Sequence, residues 1–68
     1  MSREKRLKTA LYSKGLTYEE CAKCLDMSKN TFSAKCNNVD KFKIIEVIKL
    51  CNLLELNAEE RNYIFFDY

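Results

Sequence analysis

Leu7, Ala10 and Leu11 fall at i, i+3 and i+4, the spacing of one helix face, and basic residues fill the positions between. This pattern predicts a first helix over residues 3–14. Gly15 follows its last polar turn, where a helix commonly closes on a left-handed residue. Thr17 to Glu20 reads as a capping box, with the Thr17 hydroxyl accepting from the Glu20 amide and the Glu20 carboxylate accepting from the Thr17 amide. A second helix from 18 to about 25 follows, facing inward with Cys21, Ala22 and Leu25. Asp26-Met27 interrupts the period, and Ser28 restarts it as the N-cap of a third helix at about 29–36, with Phe32 and Cys36 inward. Asn37 and Asn38 are expected to end that helix, because Asn tolerates left-handed backbone best after Gly. Phe42, Ile45, Ile48 and Leu53 begin another apolar series. With Ile44, Val47, Leu50 and Leu54 added, the helix at about 43–54 is apolar on most sides and is expected to be central. Asn57 and Glu60 cap a last helix containing Tyr63, Ile64, Phe65 and Phe66. The pattern is that of an all-α, five-helix bundle.

Composition narrows the class. With 68 residues the chain is one small domain, 1–68, whose core supplies only a few kcal/mol, so a staple or a partner is expected. Proline is absent and glycine occurs once, which argues against the tight turns of a small sheet protein. Histidine is absent too, removing the usual general base and the commonest metal ligand. No Gly-rich phosphate loop and no nucleophile–base set is visible, so nothing points to an enzyme. The first residues are charged and no apolar run is long enough to span a bilayer, so a cytoplasmic protein with reduced thiols is expected. The net charge is +2 but uneven. Residues 1–14 carry Arg3, Lys5, Arg6, Lys8 and Lys14 against Glu4, while residues 55–68 carry Arg61 against Glu55, Glu59, Glu60 and Asp67. A basic start and an acidic end give one side suited to an anion.

Residues 17–37 carry most of the chemistry. Two short helices flank a turn of three or four residues, and the second presents polar side chains outward while anchored by Phe32. This is the arrangement of a helix-turn-helix, whose second helix enters the major groove. Ala22 is small where the two helices approach, Leu25 and Met27 flank the turn with apolar groups, and Ser28 offers a hydroxyl at a helix N-terminus.

The run Gly-Leu-Thr-Tyr-Glu-Glu-Cys-Ala-Lys-Cys-Leu-Asp-Met-Ser-Lys-Asn-Thr-Phe-Ser, residues 15–33, resembles the helix-turn-helix of the Cro and lambda-type repressor family. Phe42 to Leu56 is similar to the fourth helix of small phage regulators in that family. The resemblance covers roughly residues 4–66 and implies a five-helix DNA-binding domain acting as a dimer on a palindromic double-stranded operator. It implies a Cro-like repressor that blocks promoter access, either whole or as the DNA-binding domain of a longer protein. The chain departs from the family pattern at three positions. Asp26 stands where Gly is usual in the turn, Tyr18 where many members carry Gln, and Cys21 where Leu is usual.

By position, the resemblance sets Lys29, Asn30, Ser33 and Ala34 against the bases. Lys29 would reach guanine O6 and N7, Asn30 would pair with adenine N6 and N7, and Ala34 would touch a thymine methyl. Thr17, Tyr18 and Ser28 would contact the DNA backbone, as would Lys35, Asn38, Lys41 and Lys43 beyond the recognition helix. A solvated surface would carry the same residue types. Cys21-x-x-Cys24, with Cys36 and Cys51, has the count of a four-thiolate zinc site. The pair sits inside a predicted helix, however, and Cys21, Cys36 and Cys51 fall on inward positions, so core packing is expected, with Cys24 the most exposed. No metal, cofactor, membrane or small-molecule ligand is expected. Tyr63, Phe65, Phe66 and Tyr68 exceed what so small a core can bury and are expected to form a homodimer interface. The alternative is that this tail packs back on its own helices. A different class of function, a helix-turn-helix-shaped module binding another regulator through its apolar C-terminal region, also fits the pattern.

Overall fold

Four of the helix starts are closed by a side-chain oxygen, and three helix ends by a left-handed residue. A computed structural model describes residues 2–66; the expected interface residue Tyr68 lies outside the described residues. Helix α1 spans Arg3–Ser13, α2 Tyr18–Cys24, α3 Lys29–Cys36, α4 Ile44–Leu54 and α5 Ala58–Arg61. A 3-10 turn, Val39–Lys41, precedes α4, and α5 runs on into a π turn, Asn62–Phe66. The described residues contain no strand, and the all-α, five-helix expectation holds.

Ser2, Thr17, Ser28 and Asn57 each accept the amide three residues on, as helix N-caps. Thr17–Glu20 and Asn57–Glu60 are full capping boxes. At the other ends, Gly15 (φ 68), Asp26 (φ 58) and Glu55 (φ 56) are left-handed. Each is followed by an apolar residue whose amide reaches back five residues: Leu16 to Leu11 O, Met27 to Ala22 O and Leu56 to Cys51 O, all at 3.0 Å. These are Schellman closures, and Leu16, Met27 and Leu56 pack against the core. Asp26 therefore takes the place of the turn glycine.

Helix α3 ends at Asn37 and Asn38 as expected, but without the expected left-handed backbone. Asn37 is right-handed (φ −86) and Asn38 extended (φ −151). The chain is turned here by tertiary contacts: the Val39 amide donates to Glu4 Oε2 at 3.0 Å, and Val39 and Phe42 enter the core. Helix α4 also differs. Val47, Leu50, Cys51 and Leu54 are buried, at i, i+3, i+4 and i+7, whereas Ile44, Ile45 and Ile48 are 68%, 55% and 50% exposed. The helix covers the core with one face rather than passing through it.

The core is threaded by edge-on aromatic pairs. Tyr18 and Phe32 lie 5.4 Å apart, Phe32 and Phe42 5.8 Å, and Phe42 and Phe65 6.0 Å between ring centroids. The C-terminal segment is held against α1 by two arginines. Arg3 Nη1 donates to Phe65 O at 3.0 Å and Arg6 Nη1 to Tyr63 O at 2.9 Å, with the Arg6 guanidinium 4.0 Å over the Tyr63 ring. Phe65 is buried in its own chain's core. The expectation that it forms an intermolecular surface is therefore corrected: the tail packs back on α1, and Tyr63 and Phe66 alone of the described tail aromatics stay partly exposed.

Candidate nucleic-acid interface

Helix α3 is fixed by what lies beneath it. Phe32 and Cys36 are fully buried at i and i+4, and the Ser28 hydroxyl accepts from the Thr31 amide at 3.1 Å to start the helix. With those positions inward, Lys29, Asn30 and Ala34 point to solvent and Ser33 is half-buried beside them. The structure thus brings the four expected base-reading residues onto one outer face of a single short helix, and the helix itself carries no acid.

The next helix does carry acid. Glu19 Oε1 of α2 lies 3.5 Å from Lys29 Nζ, with both side chains well exposed. An exposed pair at this distance contributes at most about 1 kcal/mol and weakens with salt. Its effect on an incoming polyanion is larger than its effect on the fold, because it places a negative charge beside the leading cation of the face. Glu19 is legible in the sequence by its place in the first turn of α2, the helix before α3.

The expected backbone contacts divide into two groups. Asn38, Lys41 and Lys43 are exposed beyond the end of α3. Lys8 joins them from α1, donating to Asn37 Oδ1 at 2.8 Å, so α1 adds a cation to that end of the face. The remaining four are committed elsewhere. The Thr17 hydroxyl accepts from the Glu20 amide and donates to Glu20 Oε1 at 3.0 Å. The Ser28 hydroxyl donates to Thr31 Oγ1 at 2.9 Å while capping. Tyr18 is turned inward and half-buried: its ring packs edge-on to Phe32 at 5.4 Å. Burial, and after it the nearby Cys36 and Cys21 thiols, raise its pKa.

Lys35 is held inside the fold rather than offered to a DNA backbone. Its Nζ lies 2.6 Å from Glu46 Oε1, with side chains only 15% and 12% exposed, so it ties α3 to α4. The same Glu46 oxygen accepts from the Lys43 amide at 2.9 Å, starting α4. Burial alone would raise the Glu46 pKa; the Lys35 and Lys43 hydrogen bonds and ammonium charges outweigh it and hold the carboxyl below its usual range.

The thiols sort as the periodicity predicts. Cys21, Cys36 and Cys51 are buried and Cys24 is exposed, all four as free thiols. Burial pushes Cys21 and Cys36 up to about 11. Among the described residues no group of three His, Cys, Asp or Glu side chains is placed to hold a metal ion, and no helix is long and apolar enough to cross a membrane. No protein-family model, curated protein or solved structure matches the chain, so a functional reading rests on the residues themselves.

Proposed function

We propose that the chain is a sequence-specific, double-stranded-DNA-binding transcriptional regulator that inserts α3 into the major groove. The observation that carries this reading is the outer face of α3, where Lys29, Asn30, Ser33 and Ala34 stand together on a helix locked from below by Phe32 and Cys36. Rigid support matters because base readout depends on side chains held in register with the groove. The αL turn at Asp26 sets α3 close against α2, as a helix-turn-helix requires. Lys8, Asn38, Lys41 and Lys43 give the phosphate contacts that set register, and Thr17, Ser28, Tyr18 and Lys35 serve the fold instead.

On this reading the protein acts as a Cro-like repressor, binding as two copies to half-sites about one helical turn, ~34 Å, apart. The test is fluorescence anisotropy with duplexes recovered from a random pool, repeated across salt concentrations. Log affinity should fall linearly with log salt, by about 0.9 for each phosphate contacted, and the recovered sequences should share a two-fold symmetric consensus. Binding that ignores salt, or a pool that yields no consensus, would overturn it.

A further inference from the structure

Helix α1 and the C-terminal segment do not close fully on each other. Thr9, Ala10 and Ser13 fall on one face of α1, at i, i+1 and i+4, and all three side chains are short. Leu56, Tyr63 and Ile64 stand opposite. The space left between is a cleft of about 310 Å³, open to solvent. That is the lower end of the size that holds a small ligand. Ala10, Leu56 and Ile64 are partly or wholly buried and give the cleft an apolar side.

The rim carries both signs of charge. Lys14, the last residue of the α1 cap, and Glu60, in the first turn of α5, both line the cleft and are exposed. Both are mounted on fixed backbone: the Lys14 amide donates to Ala10 O at 3.1 Å, and Glu60 Oε1 accepts from the Asn57 amide at 3.0 Å. Arg6, about 12 Å from Lys14 along α1, stacks over the Tyr63 ring and donates to Tyr63 O, which holds that wall in place. An apolar anion would gain Lys14 but meet Glu60, and an apolar cation would gain Glu60 but meet Lys14. A molecule with a carboxylate, an ammonium and a large apolar group satisfies the whole lining.

We propose that this cleft binds a free α-amino acid with a large apolar side chain, its carboxylate toward Lys14, its ammonium toward Glu60 and its side chain against Ala10, Leu56 and Ile64. The Thr9 and Ser13 hydroxyls, which donate or accept, serve either charged group. The bound molecule bridges α1 and the C-terminal segment, the two elements that Arg3 and Arg6 already tie, so it stabilises the folded chain by mass action. Lys14 and Leu56 are forty-two residues apart in the chain, which is why no small-molecule ligand is expected from the sequence alone. The site is separate from the operator-binding reading and is tested on the DNA-free protein.

L-phenylalanine is the probe, beside hydrocinnamate, which lacks the ammonium, and phenethylamine, which lacks the carboxylate. Amide proton–nitrogen correlation spectra of the DNA-free chain should shift at Thr9, Ser13 and Ile64 as L-phenylalanine is added, saturating in the millimolar range or below, and Tm should rise with its concentration. Hydrocinnamate and phenethylamine should each bind about three- to tenfold more weakly at low salt. Lys14→Met should remove the advantage over phenethylamine. Glu60→Gln, which keeps the capping box, should remove the advantage over hydrocinnamate. Ala10→Phe fills the cleft from α1 and should abolish binding, with Ser13→Phe in its place if Ala10→Phe lowers helicity. No saturable shift by ~20 mM overturns the proposal, as does equal affinity for the three probes or binding that persists in the filled variant. Shifts confined to Ile44, Ile45 and Ile48 would put the probe on the exposed face of α4 and overturn it too.

Discussion

Lys35 and Glu46 form a largely buried ion pair, 2.6 Å from ammonium to carboxylate, that joins α3 to α4 eleven residues on. Removing one partner leaves the other charge short of solvent, so Glu46→Gln should destabilise by about 1–3 kcal/mol. Lys35→Met should cost less than Lys35→Ala, since it keeps the buried stem. The pH dependence has a definite sign. Glu46 and Glu4 are both held below the usual carboxylate range in the folded chain, Glu4 chiefly by the Val39 amide. Their stabilisation is therefore complete above the unfolded carboxylate pKa and is lost as pH falls through it toward the folded value. Urea midpoints should drop from pH 6 to pH 3 in the wild type, and by less in the Glu46→Gln/Glu4→Gln double variant. An equal drop in both would place the acid sensitivity elsewhere.

Asp26 closes α2 with φ 58, a conformation that glycine adopts without strain and other residues adopt at a cost. Asp26→Gly should raise stability by about 0.5–1 kcal/mol, enough to shift Tm by several degrees. Asp26→Val, branched at Cβ, should lower it by at least as much. Thermal melts followed by far-UV circular dichroism would decide; a lower Tm for the glycine variant would mean that the Asp26 side chain contributes more than its backbone strain costs.

Local features of the fold were legible in the sequence where the controlling interaction spans three to five residues. The Thr17–Glu20 and Asn57–Glu60 boxes, the Ser28 cap and the closures at Gly15 and Asp26 are all of this kind. Glu55 escaped because glutamate carries no turn signal; buried Leu54 and the partly buried Leu56 on either side set its left-handed backbone. Helix α3 ends where Asn37 and Asn38 predict, but Glu4, thirty-five residues away, takes the Val39 amide, and the asparagines do not adopt their local left-handed preference. The buried side of α4 could not be read from periodicity when seven of its eleven residues are large and apolar. On the candidate interface, the outward set on α3 follows from Phe32 and Cys36, while the diversion of Tyr18 to Phe32 and of Lys35 to Glu46 depends on packing between elements.

Thiol chemistry gives an independent check on the packing. Cys24 is exposed, whereas Cys21 and Cys36 are fully buried, with pKa values near 11. The thiolate is the reactive form, so burial and a raised pKa protect these two twice over. Iodoacetamide at pH 7.5 should add one label quickly, at Cys24 by peptide mass mapping, and the rest only after denaturation. Rapid labelling of Cys36 in the native chain would show that α3 opens from the core, and would remove the rigid support on which base reading depends.

Glu19 and Lys29 offer the sharpest test of the α3 face, because the two residues make opposite demands on a nucleic acid. Their 3.5 Å pair is exposed and weak, so breaking it should change stability by less than about 1 kcal/mol. A phosphate backbone approaching α3, in contrast, meets the Glu19 charge at short range. Glu19→Gln should therefore tighten duplex binding severalfold at low salt, with the gain fading as salt screens it. Lys29→Ala should weaken the preferred sequence by about 1–3 kcal/mol and relax the preference at one base position, because a base contact discriminates where a phosphate contact does not. Equal loss on preferred and scrambled duplexes would make Lys29 a phosphate contact. If Glu19→Gln left affinity unchanged at low salt, this side of α2 would not face the duplex, and α3 would not be the helix that reads it.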